Sequence, residues 1–412
     1  MTDDSDGRAP EGNTRELSLA TISFTICFYA WALLGPLGPD LQEQLDLSDG
    51  QVALTISIPV VLGSLMRIPL GVLTDRHGGR RVFTLLMAYT PLPLIGLALF
   101  NDSWGAVLVC AFLLGFAGAS FAVGVPFVNK WYPQSRQGFA LGVYGVGMGG
   151  TVLAALTAPA IVDATSIDAP FWISALLVAI TAVVFWSLAR DAPGAIRGKT
   201  GSILASLSAF RGKGSGRAWA LTLFYFMAFG GFVAMFLYLP KLLVDVHDLS
   251  KTDAGARAAG FALLAVVARP IGGWLSDRIG ARSVLSASFL GTVVLAVALA
   301  VFYENMAPLT ICCLTMAVFL GLGTGAVFKL VPEWYPQQVG AVTGVVGAAG
   351  GLGGFFPPLV MALVKEETGG YALGFLLMAV VAAAALFVIR AEAGAEPSRS
   401  SVGPAPIEAG RR

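Results

Sequence analysis

Long apolar stretches alternate with short polar ones along almost the whole chain. A helix that crosses a bilayer needs about 20 mostly apolar residues, and such stretches lie near residues 17–39, 50–74, 81–100, 105–129, 138–162 and 170–189. After a polar interval from Arg190 to Arg217 come six more, near 218–243, 254–275, 283–303, 307–330, 340–364 and 370–390. The pattern predicts an all-α integral membrane protein with about 12 transmembrane helices. It divides into an N-terminal tail (1–16), a first six-helix bundle (17–189), a linker (190–217), a second six-helix bundle (218–391) and a C-terminal tail (392–412). The tails are polar and rich in small residues, a composition that predicts disorder. The first stretch follows an acidic leader and is one of many, so it reads as a retained helix and not a cleaved signal peptide.

Composition narrows the function. Of the residues, 56% are hydrophobic and 12% charged, against about a quarter charged in soluble domains. The four cysteines (Cys27, Cys110, Cys312, Cys313) sit inside apolar runs without metal-ligand spacing, and the two histidines, His77 and His247, fall in polar connections. No metal or cofactor is therefore expected. No nucleophile–base pair or phosphate loop points to an enzyme, and nothing points to nucleic acid. Net charge near +1 hides an uneven distribution: Arg76, Arg80, Arg81, Lys130, Arg136, the basic residues of the linker, Arg278 and Arg282 all fall in alternate connections. The intervening connections 40–50, 101–105 and 163–170 contain no Lys or Arg. The positive-inside rule then places both termini and the linker in the cytoplasm. Lys241, Lys251, Arg257 and Lys365 are exceptions.

The two halves repeat. Arg67-Ile-Pro-Leu-Gly71 through Asp75-Arg76-His-Gly78-Gly-Arg80 aligns with Arg269-Pro-Ile-Gly-Gly273 through Asp277-Arg278-Ile-Gly280-Ala-Arg282. Trp131-Tyr132-Pro133 recurs as Trp334-Tyr335-Pro336, and Gly142, Gly145 and Gly149 recur as Gly344, Gly347 and Gly351. Matches at nearly one offset predict two pseudo-symmetric bundles with a site between them near the membrane midplane.

Arg67 and Arg269 each lie about 12 Å along a helix from its arginine-rich end, at about 1.5 Å per residue. An arginine at that depth costs about 2.5–3.5 kcal/mol on insertion scales. The carboxylates Asp40, Asp163, Glu304 and Glu333 fall near predicted helix ends and do not match this depth. Two symmetry-related cations without a partner predict an anion that completes the site, and planar guanidinium groups suit planar oxyanions. The alternative is that each arginine bonds backbone carbonyls and braces the bundle. Small neighbours (Gly63, Ser64 and Gly71; Ala265, Gly272 and Gly273) mark close helix contacts or a cavity wall. Tyr225 and Phe229, one turn apart, and Phe121 offer a hydroxyl and aromatic walls. At the cytoplasmic face, Asp75, Arg76, Arg80, Asp277, Arg278 and Arg282 read as a gate, with the carboxylates capping a helix end or pairing with Arg80 or Arg282. The glycine rows serve either close helix packing or a bare surface for sliding and for a very small substrate.

The doubled Gly-x-Leu-x-Asp-Arg-x-Gly loop resembles the major facilitator superfamily. The mid-depth arginines, Gly118–Gly124 ahead of Asn129–Pro133, Gly321–Pro332 and Gly344–Phe356 resemble its nitrate/nitrite porter branch. That resemblance implies a major facilitator fold in the cytoplasmic (inner) membrane. It implies a secondary transporter for nitrate or nitrite, with Arg67 and Arg269 clasping the anion, Tyr225 donating to it, and Phe229 and Phe121 nearby. Met148 and Thr324 stand where that branch commonly has asparagine. The expected partners are the small anion, the lipid bilayer and, for symport, protons; a monomer is expected. A carrier of oxalate or formate, a proton-coupled sugar or drug carrier, and an anion sensor remain the alternatives.

Overall fold

The computed structural model describes residues 12–133, 137–193, 210, 215–335 and 339–394. Most of the expected linker and tails lies outside the described residues. The helices are α1 (Thr14–Ala32), followed by α2 (Asp49–Thr74), α3 (Gly79–Leu99), α4 (Trp104–Asn129), α5 (Ala140–Ala164), α6 (Ala169–Leu188), α7 (Ser215–His247), α8 (Lys251–Ile279), α9 (Ala281–Phe302), α10 (Met306–Val331), α11 (Val342–Thr368) and α12 (Ala372–Glu392). Among the described residues, eleven helices, α2 to α12, are long and apolar enough to cross a membrane.

The first segment departs from expectation. Its helix begins at Thr14, inside the expected tail, because the Asn13 side chain accepts from the Glu16 amide and caps it. It stops at Ala32 instead of running to 39. Residues 33–37, around Gly35–Pro36, form turns, and a short helix, Gly38–Leu45, follows. Proline after glycine interrupts the regular helix hydrogen-bond ladder. At the other end of the chain the last helix runs on to Gly394, past the expected tail boundary.

Local chemistry repeats with the sequence. Asp46 and Asp248 both adopt the left-handed conformation, and Ser48 and Ser250 then cap α2 and α8 by accepting from Gln51 and Asp253 amides. Gly78 and Gly280 end these helices at φ +84° and +86°, a conformation that only glycine adopts cheaply. Each half therefore builds its arginine-bearing helix between the same two stops.

The arginine-bearing helices are held by backbone-close packing. A Cβ on Gly115 of α4 would lie 2.3 Å from the Pro59 carbonyl of α2, and one on Gly63 would lie 2.7 Å from the Gly115 carbonyl. The same arrangement joins α8 and α10, where Gly272 meets the Leu322 carbonyl at 2.2 Å and Gly321 meets that of Ala265 at 2.4 Å. Lipid offers helices no hydrophobic incentive to associate, so such close approach supplies the dispersion contacts that hold the pairs. Gly115→Val is expected to force α2 from α4 and lower stability by about 1–3 kcal/mol. Gly142→Ala, where a Cβ meets nothing within 4 Å, should leave stability unchanged or slightly raised. Thermal unfolding of both variants in detergent checks the contrast.

Candidate functional site

Arg67 and Arg269 face one another's half of the molecule. Arg67, from α2, lies over the Phe229 ring of α7 with its guanidinium carbon 5.2 Å from the centroid. Arg269, from α8, lies over the Phe121 ring of α4 at the same 5.2 Å. The Arg67 guanidinium is within electrostatic range of both Arg269 and the Tyr225 side chain. Each aromatic is itself wedged: Phe229 stacks on Tyr225 with centroids 5.1 Å apart, and Phe121 stacks on Tyr144 at 6.0 Å. The α7 backbone widens into a π-helical turn at Phe226–Gly230, which sets Phe229 at this point. Such turns recur at functional sites because the extra residue redirects a side chain.

The two arginines differ in their second contacts. Arg67 is 5% exposed and donates from one Nη to the Gly347 carbonyl of α11 at 2.6 Å. The bracing alternative is thus met in part, but a guanidinium carries five N–H donors. The Nε of Arg67 is buried without a partner, as is the hydroxyl of Ser64 one turn earlier. Arg269 is half-buried and donates to the Met148 sulfur, a weak acceptor. Met148, where asparagine was expected from the resemblance, therefore touches the site directly. Thr324 does not turn its hydroxyl to an arginine; it donates to the Leu320 carbonyl of its own helix.

The glycine rows are not uniform. A Cβ at Gly142, Gly145, Gly149 or Gly344 would meet nothing within 4 Å, so close packing does not explain these four. Gly347 and Gly351 instead border the site, beside the Arg67 side chain. Tight packing falls on the neighbours: Gly147 against Phe24, Gly150 against the Thr25 carbonyl, and Gly350 against the Tyr225 ring. The rows of α5 and α11 thus include positions with open space opposite them and, at Gly347 and Gly351, positions beside the Arg67 side chain.

A family profile for the Major Facilitator Superfamily matches residues 20–259 and 242–410. The chain belongs to the Major Facilitator Superfamily. It is 42% identical over 378 residues to a probable nitrate/nitrite transporter NarK2 of Mycobacterium tuberculosis, covering 90% of this chain and 94% of that one. To a nitrite extrusion protein of Bacillus subtilis it is 36% identical, covering 91% and 93%. A probable nitrate transporter NarT of Staphylococcus aureus is 34% identical, covering 91% and 95%. Among solved structures, the human organic anion transporter MFSD10 superposes with a TM-score of 0.72 at 18% identity, over 91% of this chain and 99% of that one. A bacterial homologue of the lysosomal transporter Spinster gives 0.70 at 18%, over 92% and 96%. As a major facilitator the chain is a multi-pass membrane transporter and not an enzyme.

In this major facilitator a second group of polar contacts between the halves, besides those of the two arginines, gathers at one end. Lys241 of α7, 2% exposed, reaches Gln42 and Asp49 of the first half and Asp245 of its own, each at 2.8 Å. Lys365 joins Asp49 at 2.7 Å and Asp245 at 2.5 Å, and Tyr371 donates to Asp245 at 2.8 Å. Lys251 bridges to Asp40 at 3.1 Å and Glu43 at 2.5 Å, and Thr252 bonds Asp163. The hydrogen bond from Lys251 holds the exposed Glu43 carboxyl below its usual range, while burial pushes that of Asp40 up. Backbone contact closes the same end: a Cβ on Gly255 would lie 2.5 Å from the Ala155 carbonyl. Three of the four lysine and arginine exceptions to the charge asymmetry are accounted for here.

At the arginine-rich end, contacts of Arg80, Asp277, Arg278 and Arg282 lie within single halves. Arg80 donates to the Trp186 carbonyl and stacks on its ring, while its amide bonds Asp191 at 3.0 Å. Asp191, which sequence reading did not single out, thus caps α3; its position one residue into the linker was the available signal. Asp277 accepts from Lys329 at 2.5 Å, a partner in α10 that the expectation of Arg282 did not include. Arg278 stacks on Trp274 at 4.0 Å and Arg282 lies over Trp334 at 5.9 Å. Arg76 is exposed with a partner of its own, and the side chain of Asp75 lies outside the described residues.

The lysine cluster predicts an asymmetry. Asp49→Asn leaves buried Lys241 short of an anion and should cost about 3 kcal/mol. Lys241→Met keeps the stem and leaves two carboxylates with Lys365, so it should cost about 1 kcal/mol or less. Denaturation in detergent measures both; equal costs would remove the buried-cation explanation.

Proposed function

We propose that this chain carries nitrate and nitrite across the cytoplasmic membrane by alternating access, with the anion held between Arg67 and Arg269. The carrying observation is the pair of arginines, one from each half, Arg67 buried and Arg269 half-buried, with the Arg67 Nε and the neighbouring Ser64 hydroxyl buried without partners. A small planar oxyanion supplies acceptors to both. The relatives named for nitrate and nitrite transport support the choice of anion, since the chain matches them over nearly its full length.

The positive-inside rule puts the arginine-rich end, both termini and the linker in the cytoplasm. The lysine-rich end is then external and closed, by ion pairs and by glycine-close packing. The open faces of Gly142, Gly145 and Gly344 lie toward the cytoplasmic end, so this conformation is inward-facing. Asp277 with Lys329, Arg80 with Trp186 and Asp191, and Arg278 and Arg282 on tryptophan rings brace the two cytoplasmic rims separately, in readiness for their closure against each other. Rocking would open the lysine cluster and bring these rims together.

Coupling follows from charge. A monovalent anion entering a negative-inside cell works against about 2.3 kcal/mol per 100 mV. The buried carboxylates among the described residues, Glu16 and Asp40, bond Arg190 and Lys251 at the ends of the bundle. With no described carboxylate at the arginines, exchange of nitrate for nitrite is favoured, because it moves no net charge.

The test is flux into proteoliposomes. Nitrate uptake driven by internal nitrite is expected, and Arg67→Ala or Arg269→Ala should reduce it at least about 100-fold, as expected when a charge-assisted bidentate contact is lost. Uptake that needs a pH gradient and not internal nitrite would establish symport. Flux of formate or oxalate with neither nitrate nor nitrite would overturn the cargo.

A further inference from the structure

We infer that Ser64 is an anion-binding donor and that it biases the site toward the three-oxygen anion. This rests on the nitrate and nitrite reading above. Ser64 is 1% exposed, and its Oγ is buried without a hydrogen-bond partner. That is unusual within this chain. Most buried serine and threonine hydroxyls in these helices satisfy themselves on a carbonyl one turn back, as Ser57, Thr74, Thr90, Ser174 and Thr324 do, while Ser288 reaches the Phe319 carbonyl of the next helix. Ser64 lies in the same continuous helix as Ser57 and Thr74 and has the same option. Its hydroxyl is directed across to α11 instead, where a Cβ on Gly351 would fall 2.0 Å from Oγ and 3.5 Å from an Arg67 Nη. Glycine at 351 therefore leaves the room that this orientation occupies.

A hydroxyl kept off its own helix costs about 1–3 kcal/mol unless a partner arrives. Arg67 Nε, three residues later on the same helix face, is in the same condition. Two unpartnered buried donors side by side fit two oxygens of one planar anion. Arg269, whose described acceptor is only the soft Met148 sulfur, is free to exchange it for a third oxygen. Nitrate has one oxygen for each of these three donors; nitrite has two oxygens and a nitrogen lone pair in a different geometry, and so meets one donor less well. Ser64, the neutral member of the set, is the contact that nitrite gives up at least cost, since leaving a buried cation unmet is worse.

The experiment measures KM and maximal rate for nitrate and for nitrite in proteoliposomes containing the full chain. Ser64→Ala is expected to raise the nitrate KM about tenfold, the lower range for a hydrogen bond to a charged group. The nitrite KM should change less than about twofold. Gly351→Ala drives a methyl into the hydroxyl's place and should give the same selective loss with Ser64 intact. Ser174→Ala, whose hydroxyl bonds Pro170, should leave the ratio of the two KM values unchanged. An equal shift for both anions, or none, in Ser64→Ala would overturn the assignment and leave Ser64 as helix packing. A wild type that moves neither anion would overturn the functional reading itself, and this inference with it.

Discussion

Everything in this molecule is arranged around the cost of keeping two guanidinium groups out of water. Among the described residues neither Arg67 nor Arg269 meets a carboxylate; each meets an aromatic face contributed by the opposite half. A cation over an aromatic ring recovers about 0.5–2 kcal/mol, and the Gly347 carbonyl recovers more for Arg67, but neither neutralises the charge. A full counter-ion supplied by the protein would satisfy the arginines permanently and exclude an anionic cargo. Partial satisfaction keeps the empty protein stable while leaving an attraction that only an anion fulfils. The close glycine contacts between α2 and α4 and between α8 and α10 follow from the same constraint, because a charge held this way must be aimed within fractions of an ångström.

The asymmetry between the arginines adds direction to a pseudo-symmetric frame. Arg67 is anchored to a backbone carbonyl of the facing half, so it belongs to the fixed wall. Arg269 is bonded to a thioether, which yields easily. In the proposed site, an anion would meet one firm donor group and one that adjusts to it.

The bundle was legible in the sequence because lipid imposes its own length on a helix, and apolar runs report that length directly. The repeat was legible for the same reason that it folds: Ser48 and Ser250, Gly78 and Gly280, and the two arginines carry out identical local tasks. The first segment was misread because apolar composition is blind to the Gly35–Pro36 interruption, which removes ladder hydrogen bonds without lowering hydrophobicity. The glycine rows were ambiguous because an absent side chain looks alike whether another helix or open space lies opposite. Met148 was noticed as a departure from the family pattern, but its sulfur at Arg269 depended on the tight turn at Val146–Gly149, which no pattern of residue types announces. The Lys329 partner of Asp277 was not legible because it comes from another helix, which proximity along the chain does not report.

The lysine-rich end has a consequence for how the protein is made. Of its acidic members, Asp40, Glu43 and Asp49 belong to the half synthesised first and Asp245 to the second, while Lys241, Lys251 and Lys365 all belong to the half that follows. In the proposed orientation those lysines must cross to the side that positive residues avoid. An acidic rim already standing there gives them a destination, so the earlier half acts as a template for the topology of the later one. The halves are then not interchangeable modules: a second half inserted alone would carry three cations against the charge rule with only Asp245 of this cluster to hold them.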